Sequence, residues 1–321
     1  MNTFTYIITG AAGFIGRNLV AELNARGETD LLLVDELGTS EKWKNLVGLQ
    51  YEDIWDPETF RQAVLDGATG VGVKALIHLG ACSATTETDA DYLLDNNYRF
   101  TRDLCEWCLE KGVRFVYASS AATYGNGDKG YSDADAATPD LCPLNMYGYS
   151  KHMFDLWVLK NGLLDQIAGV KYFNVYGPYE DHKGDMRSVV YKSFEQIRES
   201  GGVKLFRSHR PDYEDGKQLR DFVYVKDAVD VTLWLAESGN PGGLYNCGTG
   251  QARSWLDLAS AVFAAMGKEP DVEFIDMPAN LQAKYQYYTQ AEMGKLREAG
   301  YEKVFTPLEE GVAQTVDYLK G

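Results

Sequence analysis

Positive charge is scarce in this 321-residue chain, where 31 Lys and Arg face 47 Asp and Glu for a net charge of −16. Such a balance excludes a broad nucleic-acid or anionic-membrane surface, which needs clustered cations, but it permits a small anionic ligand held by local ones. Long apolar runs are missing too. No stretch approaches the ~18 residues of a spanning helix, and "MNTFTYIITGAAGFIG" lacks a basic leader, so neither a membrane span nor a signal peptide is expected. Cysteine is sparse, five scattered residues in all, which fits a reducing compartment and makes the cytoplasm the expected location. Cys105 and Cys108 form one C-x-x-C with no second pair beside it. With Leu104 and Leu109 they fall at helical spacing and read as a buried stripe, so no metal site is expected. Internal repeats and low-complexity segments are absent.

What is present is ordinary globular material, 45% hydrophobic and 24% charged, in a chain long enough to bury a sizeable core. "FTYIIT", "DLLLVD", "ALIHLG", "RFVYAS" and "GVKYFNV" are short apolar or aromatic runs bounded by Gly, Asp or Ser, and each reads as a buried strand. Ile15, Leu19, Val20 and Leu23 recur at helical spacing between the first two. This alternation predicts an α/β protein with a Rossmann-type, doubly wound parallel sheet. Past Tyr176 come two long polar loops, then "DFVYV" as a strand returning to the main body and a helix near 228–237. "GLYNCGTG" and the helical patterns "SWLDLASAVFAAMG" and "PLEEGVAQTVDYLK" follow. The expected division is a dinucleotide-binding domain of residues 1–173 and 219–246, with a smaller, discontinuous substrate domain of 174–218 and 247–321.

Chemistry concentrates in four places. "TGAAGFIG" sets Gly10, Gly13 and Gly16 between a strand and a helix, where a tight turn, close backbone approach and free N–H groups suit a pyrophosphate. Asp35 ends the next strand, 19 residues past Gly16, and completes the dinucleotide pattern. Asp35 with Glu36 favours the free ribose hydroxyls of NAD, whereas Lys42 would offset their repulsion of a 2′-phosphate, so the residues leave NAD and NADP open. "MYGYSK" places Tyr147 and Lys151 on one helix face, where an ammonium would draw the phenol from ~10 toward neutrality. Ser120 closes the strand in "YASSAATYG", at the sheet edge where ligands bind in this fold. Lys183, in "DHKGDM", has by itself only the look of a solvated loop charge.

Together these residues resemble the extended short-chain dehydrogenase/reductase family acting on nucleotide sugars. The ordered series "IHLGACSATTE", "LLDNNY", "YASSAATYG", "MYGYSK", "KYFNVYGP", "HKG", "RDFVYV", "NCGTG" and "QYYTQA" is similar, over essentially the whole chain, to the branch of epimerases acting on ADP-heptoses. The resemblance implies inversion at C6 of the sugar by transient oxidation with tightly held NADP, or alternatively NAD. It implies Tyr147 and Lys183 as the two acid–base groups, Ser120 holding the reacting oxygen, and Lys151 on the nicotinamide ribose. Phe14, Ile15, Leu79, Gly80, Ala81, Cys82, Ser83, Asn96 and Val175 would line the cofactor, beside the glycines, Asp35, Glu36, Lys42 and Lys183. Asn174, Asp185, Lys192, Phe206, Arg207, Ser208, His209, Arg220 and Tyr285 would hold the ADP-sugar, with Lys204 and Arg210 adding local positive charge for its diphosphate. A homo-oligomer, a pentamer in many relatives, is implied as well.

The chain departs from the family pattern in places. Asp185 stands where a small hydroxyl residue is usual, Lys192 where a histidine is common, and Glu36 and Pro57 where several relatives carry an amide and a lysine near the 2′-phosphate. Ala121, Ala122 and Thr123 follow Ser120 without the acid that dehydratases and decarboxylases carry there, which disfavours both reactions. A UDP-hexose 4-epimerase would use Tyr147 without evident need of Lys183. A non-catalytic nucleotide sensor would not need Ser120, Tyr147 and Lys151 together.

Overall fold

Each strand of the main sheet sends alternate side chains to opposite faces, and both faces are covered. In the computed structural model, which describes residues 4–68, 70–237, 239–282 and 285–321, β1 (Tyr6–Thr9) and β2 (Leu31–Val34) show the division. Ile8, Leu31 and Leu33 join one hydrophobic cluster, while Ile7, Leu32 and Val34 join the other. Period-two alternation with apolar residues on both sides is why these strands read as continuous apolar runs. With β3 (Asp53–Trp55), β4 (Ala75–His78), β5 (Arg114–Ser120), β6 (Ile167–Tyr172) and β10 (Gly243–Cys247) they form a seven-stranded sheet in the order β10-β6-β5-β4-β1-β2-β3. All its pairings are parallel.

Helices cover the two faces. Helices α1 (Phe14–Ala25) and α7 (Val225–Ala236) contribute to the first cluster. Helices α2 (Pro57–Leu65), α4 (Phe100–Lys111) and α5 (Met146–Lys160) contribute to the second, and Cys105 and Cys108 lie buried in it as the helical stripe predicts. The short α3 (Ala90–Leu93) runs into α4 through a π-helical turn over 94–99. The winding direction reverses between β1 and β4, and this opens the crevice where ligands bind in such sheets.

The smaller region has two sheets of its own. In one, β9 (Leu219–Tyr224) pairs in parallel with β7 (Asn174–Tyr176) and antiparallel with β11 (Ala252–Ser254). In the other, β8 (Val203–Phe206) pairs with β12 (Val272–Ile275). Helices α6 (Val189–Ser200), α8 (Trp255–Ala265) and α11 (Leu308–Lys320) pack on one another, with the short α9 (Ala279–Gln282) and α10 (Gly294–Glu298) between the last two in sequence. No helix among the described residues is long and apolar enough to cross a membrane.

Two strand expectations change, and one strand had none. "GVKYFNV" is not one strand: it breaks at Phe173, whose N–H donates to Cys247 O, and β6 and β7 enter different sheets. "DFVYV" does not return to the seven-stranded sheet, because β9 is held by β7 and β11. Strand β3 had no expectation at all. Its three residues, Asp-Ile-Trp, are too few and too exposed to show a period.

Candidate active site

The turn from β1 into α1 is built on glycines, two of which leave no room for a side chain. Gly10 has φ of +69°, and a Cβ there would lie 2.7 Å from Gly80 N. A Cβ at Gly16 would overlap the Gly10 carbonyl. Asp35, at the end of β2, accepts the Ala12 N–H at 2.7 Å on one oxygen and pairs with Lys42 Nζ at 2.5 Å on the other. Lys42 also donates to Glu36 O at 3.2 Å. Asn45 ties this turn to the far side of the crevice, donating to Ala12 O at 2.8 Å and lying 2.9 Å from His182 Nδ1.

A buried hydrogen-bond chain positions the loop after β4. Gly80 N–H donates to Thr9 Oγ1 (3.0 Å), which lies 2.6 Å from His78 Nδ1. His78 Nε2 is 2.9 Å from Thr101 Oγ1, which donates to Asn97 O at 2.6 Å. Thr101 thus spends its proton on a carbonyl and must accept from Nε2–H, so Thr9 donates to Nδ1 and the imidazole is neutral. Burial pushes its pKa down to about 3, in the same direction. Asn97, in the π-helical turn, holds Cys82 through both its amide groups and donates to Ser150 Oγ on α5. Sequence reasoning missed this chain, because its members belong to five different elements.

Ser120 ends β5, and its Oγ accepts the Ala122 N–H at 3.1 Å. Helix α5 begins at Met146, directly after the cap Asn145, whose side chain accepts the Gly148 N–H, and carries Tyr147 and Lys151 on one face. Both line a cavity of about 550 Å³ together with Ser120, Lys183, Gly10, Gly13, Phe14, Ile15, Gly16, Asp35, Lys42, Leu79, Gly80, Ala81, Cys82, Ser83 and Val175. Ser119, Tyr172, Phe173, His182 and Met186 also line it and were not foreseen. Glu36 and Asn96 instead border an adjoining cavity of about 200 Å³ that shares Asp35, Lys42 and Gly80 with the first.

The protonation balance differs from the expectation. Burial raises the Tyr147 phenol, and the Ser120 hydroxyl, not Lys151, is the group that opposes the rise. Burial also pushes Lys151 down to about 8, with Asp155 pulling it back up. Asp155 lies one turn beyond Lys151 and is fully buried with Lys171, whose Nζ is 2.7 Å from its carboxylate. Tyr117 and Ser119 donate to the same carboxylate at 2.8 Å each. Lys171 also donates to Thr123 Oγ1 (2.9 Å), and Thr123 to Ser120 O (2.8 Å), so the charged pair underpins the serine's turn. The signal for Asp155 was present in the sequence as the next step of the Tyr147–Lys151 stripe. Lys171, on β6, left none.

Lys183 enters the cavity from a 3₁₀ turn over 181–186, with its ammonium 2.9 Å from Glu180 Oε2 and 4.8 Å from the centre of the Phe14 ring. Beside it, burial and the cations Lys42 and Lys183 push His182 down to about 4. Asp185 is exposed on the same turn and its carbonyl accepts Lys192 Nζ at 2.5 Å.

The other residues expected on the sugar gather away from this cavity's lining. Asn174 is exposed on β7, and Phe206 ends β8. Ser208 N–H donates to Asp215, and His209 N–H to Tyr287 OH at 2.9 Å. Arg220 is buried with its guanidinium 5.1 Å from the Tyr285 ring and 5.6 Å from Trp255, donating to the carbonyls of Leu219 and Gln286. Tyr285 OH accepts from Trp255 Nε1 at 2.8 Å. The expected local positive charge is partly offset, since Arg207 pairs with Asp276 and Asp215, Arg210 with Asp212 and Lys204 with Glu273. Arg220 donates to carbonyls instead.

A dinucleotide fits the crevice. The cavity floor is the glycine turn at the head of α1, and on its open side Gly13 presents backbone with only Gly10 near the place of a Cβ. Fold and site define a Rossmann-type nicotinamide-nucleotide enzyme whose crevice is lined by Ser120, Tyr147 and Lys151. The chain belongs to the NAD dependent epimerase/dehydratase family, which it matches over residues 6–248. Within that family it is 56% identical to the ADP-L-glycero-D-manno-heptose-6-epimerase of Nitratidesulfovibrio vulgaris, over 97% of this chain and 96% of the relative. Among solved structures it is similar to the Helicobacter pylori ADP-L-glycero-D-manno-heptose-6-epimerase (27% identity, TM-score 0.82, 99% and 97% of the two chains). It is also similar to a Thermus thermophilus UDP-glucose 4-epimerase in complex with NAD (26% identity, TM-score 0.76, 98% and 99%).

Proposed function

We propose that this protein is an isomerase that inverts C6 of the heptose in ADP-D-glycero-D-manno-heptose, giving the L-glycero epimer for lipopolysaccharide core-precursor synthesis. The observation that carries the reading is the meeting of Lys183 with Ser120 and Tyr147 around one cavity, from separate elements. Inversion exposes the C6 oxygen in two orientations, so one acid–base group is insufficient. A bound nicotinamide nucleotide would supply the reversible oxidation. Tyr147 serves the oxygen in one orientation and Lys183 in the other, while Ser120 holds it in place. Each positioned acid or base contributes about 10²–10⁴-fold. A UDP-hexose 4-epimerase would use Tyr147 without evident need of Lys183, and dehydration lacks its acid at Ala121, Ala122 and Thr123.

The reading favours NADP. Asp35 is engaged on both oxygens, by Ala12 N–H and by Lys42, so it offers little to a 2′-hydroxyl, and Lys42 is the cation at that end of the crevice. The ADP-sugar is assigned to Asn174, Asp185, Lys192, Phe206–His209, Arg220 and Tyr285, and the active form to a homo-oligomer in the cytoplasm. Proton NMR of ADP-D-glycero-D-manno-heptose incubated with the protein tests the activity: appearance of the 6-epimer supports it, and unchanged substrate refutes it. Mass spectrometry of the nucleotide released on denaturation separates NADP from NAD.

A further inference from the structure

Glu180 is a carboxylate with no exposed surface, three residues before Lys183. Its Oε2 accepts Lys183 Nζ at 2.9 Å and the Ser188 N–H at 2.8 Å, and its Oε1 accepts the Gly177 N–H at 3.3 Å. Glu180 O also accepts the Lys183 N–H at 2.9 Å. One residue therefore ties the first and last parts of the loop to the side chain it carries.

The backbone is bent to put Glu180 there. Tyr179 adopts φ of +73°, a conformation that is strained for a bulky residue and persists only where its surroundings enforce it. Arg17 stacks 3.5 Å from its ring centre, and Tyr318 packs against it at 4.6 Å. On the other side, Asp181 accepts hydroxyls from Tyr191 (2.5 Å) and Tyr318 (3.0 Å), so each of its carboxylate oxygens is engaged by a phenol. A buried carboxylate without a cation is strongly unfavourable, and a long lysine side chain without a partner samples many rotamers. The ion pair resolves both problems and leaves the ammonium only partly exposed, 4.8 Å from the Phe14 ring at the cavity edge.

We propose that Glu180 is a positioning residue for the reaction: it fixes Lys183 as an oriented ammonium at the cavity edge. The inference rests on the two-group reading above and deepens it. Lys183 then meets the sugar as the proton donor to the C6 oxygen. Its N–H bond breaks as the O–H bond forms on the C6 oxygen, whose carbonyl a bound nicotinamide nucleotide would reduce, and the free amine is reprotonated from solvent, which receives the proton Tyr147 took from the original hydroxyl. Glu180 touches neither sugar nor cofactor.

The test uses the holoenzyme and two readouts, with Glu180→Gln as the main variant and Glu180→Asp as a charge-retaining control. The first readout is acylation of Lys183 by trace acetic anhydride, followed by peptide mass spectrometry, which needs no substrate. It should rise several-fold in Glu180→Gln and stay nearer wild type in Glu180→Asp. The second is turnover of ADP-D-glycero-D-manno-heptose, where kcat should fall about 10²-fold in Glu180→Gln with KM within about threefold. Unchanged acylation overturns the proposal, even if turnover falls, because the loss would then be structural. If Glu180→Gln does not fold, loss of kcat in folded Glu180→Asp without change in acylation also overturns it. Wild-type protein that leaves the heptose unchanged sinks the function reading, while the acylation ratio still decides the role of Glu180.

Discussion

A histidine that never meets water sets part of the acid limit of this protein. His78 must be neutral to accept from Thr9 and donate to Thr101 at once. Above pH 6.5 both folded and unfolded chains leave it uncharged and it has no effect on stability. Below that, the unfolded chain takes up a proton that the folded one refuses until about pH 3. Stability therefore falls as pH falls through this window, by an amount on the order of 5 kcal/mol at its end. Urea titrations at stepped pH should show a shallower decline in His78→Gln, and equal slopes in the two proteins would refute the assignment. Tyr147 and Lys183 make the functional counterpart. Tyr147→Phe and Lys183→Ala should each lower epimerisation by at least about 10²-fold while far-UV circular dichroism stays unchanged. Near-normal turnover in Lys183→Ala would end the two-group mechanism.

At the scale of elements, α5 and β6 are joined by the Asp155–Lys171 pair, which connects through Thr123 to the turn at Ser120. Removing one partner strands a buried charge, at a cost of about 3–5 kcal/mol, whereas replacing both with apolar residues costs less. Chemical denaturation should therefore rank Asp155→Leu well below the double variant Asp155→Leu/Lys171→Met. A double variant no better than the single one would show that packing, not charge, dominates. The same elements show what a sequence can and cannot reveal. Motifs whose parts are local were readable: the glycine turn, the i, i+4 pair of Tyr147 and Lys151, and the buried strands with apolar runs. Strand β3 was invisible because three half-exposed residues carry no period. The break at Phe173 was invisible because a change of strand partner leaves no mark on alternation. Lys183 needed the ordered company of the other motifs, and nothing in "PYEDHKG" sets the buried Glu180 apart from its neighbouring acid.

At the scale of the molecule, the two regions share one core. The cluster that holds Ile8 and Leu33 of the main sheet also holds Phe194 of α6, Val262 of α8 and Val312 of α11. Elements that bury apolar surface against the same residues lose stability together, so the smaller region has no separate melting unit. Thermal unfolding followed by far-UV circular dichroism and by tryptophan fluorescence should give coincident single transitions. The fluorescence reports on both parts, since Trp107 lies in α4 and Trp255 begins α8. A nicotinamide nucleotide bound on the main sheet should then stabilise the whole chain. At a free concentration of 100 Kd it adds about 2.7 kcal/mol, or roughly 4 °C for a chain of this size, and both probes should move equally. Two resolved transitions, or a shift seen by one probe alone, would show instead that the substrate region folds on its own account and that the crevice between the regions is a hinge.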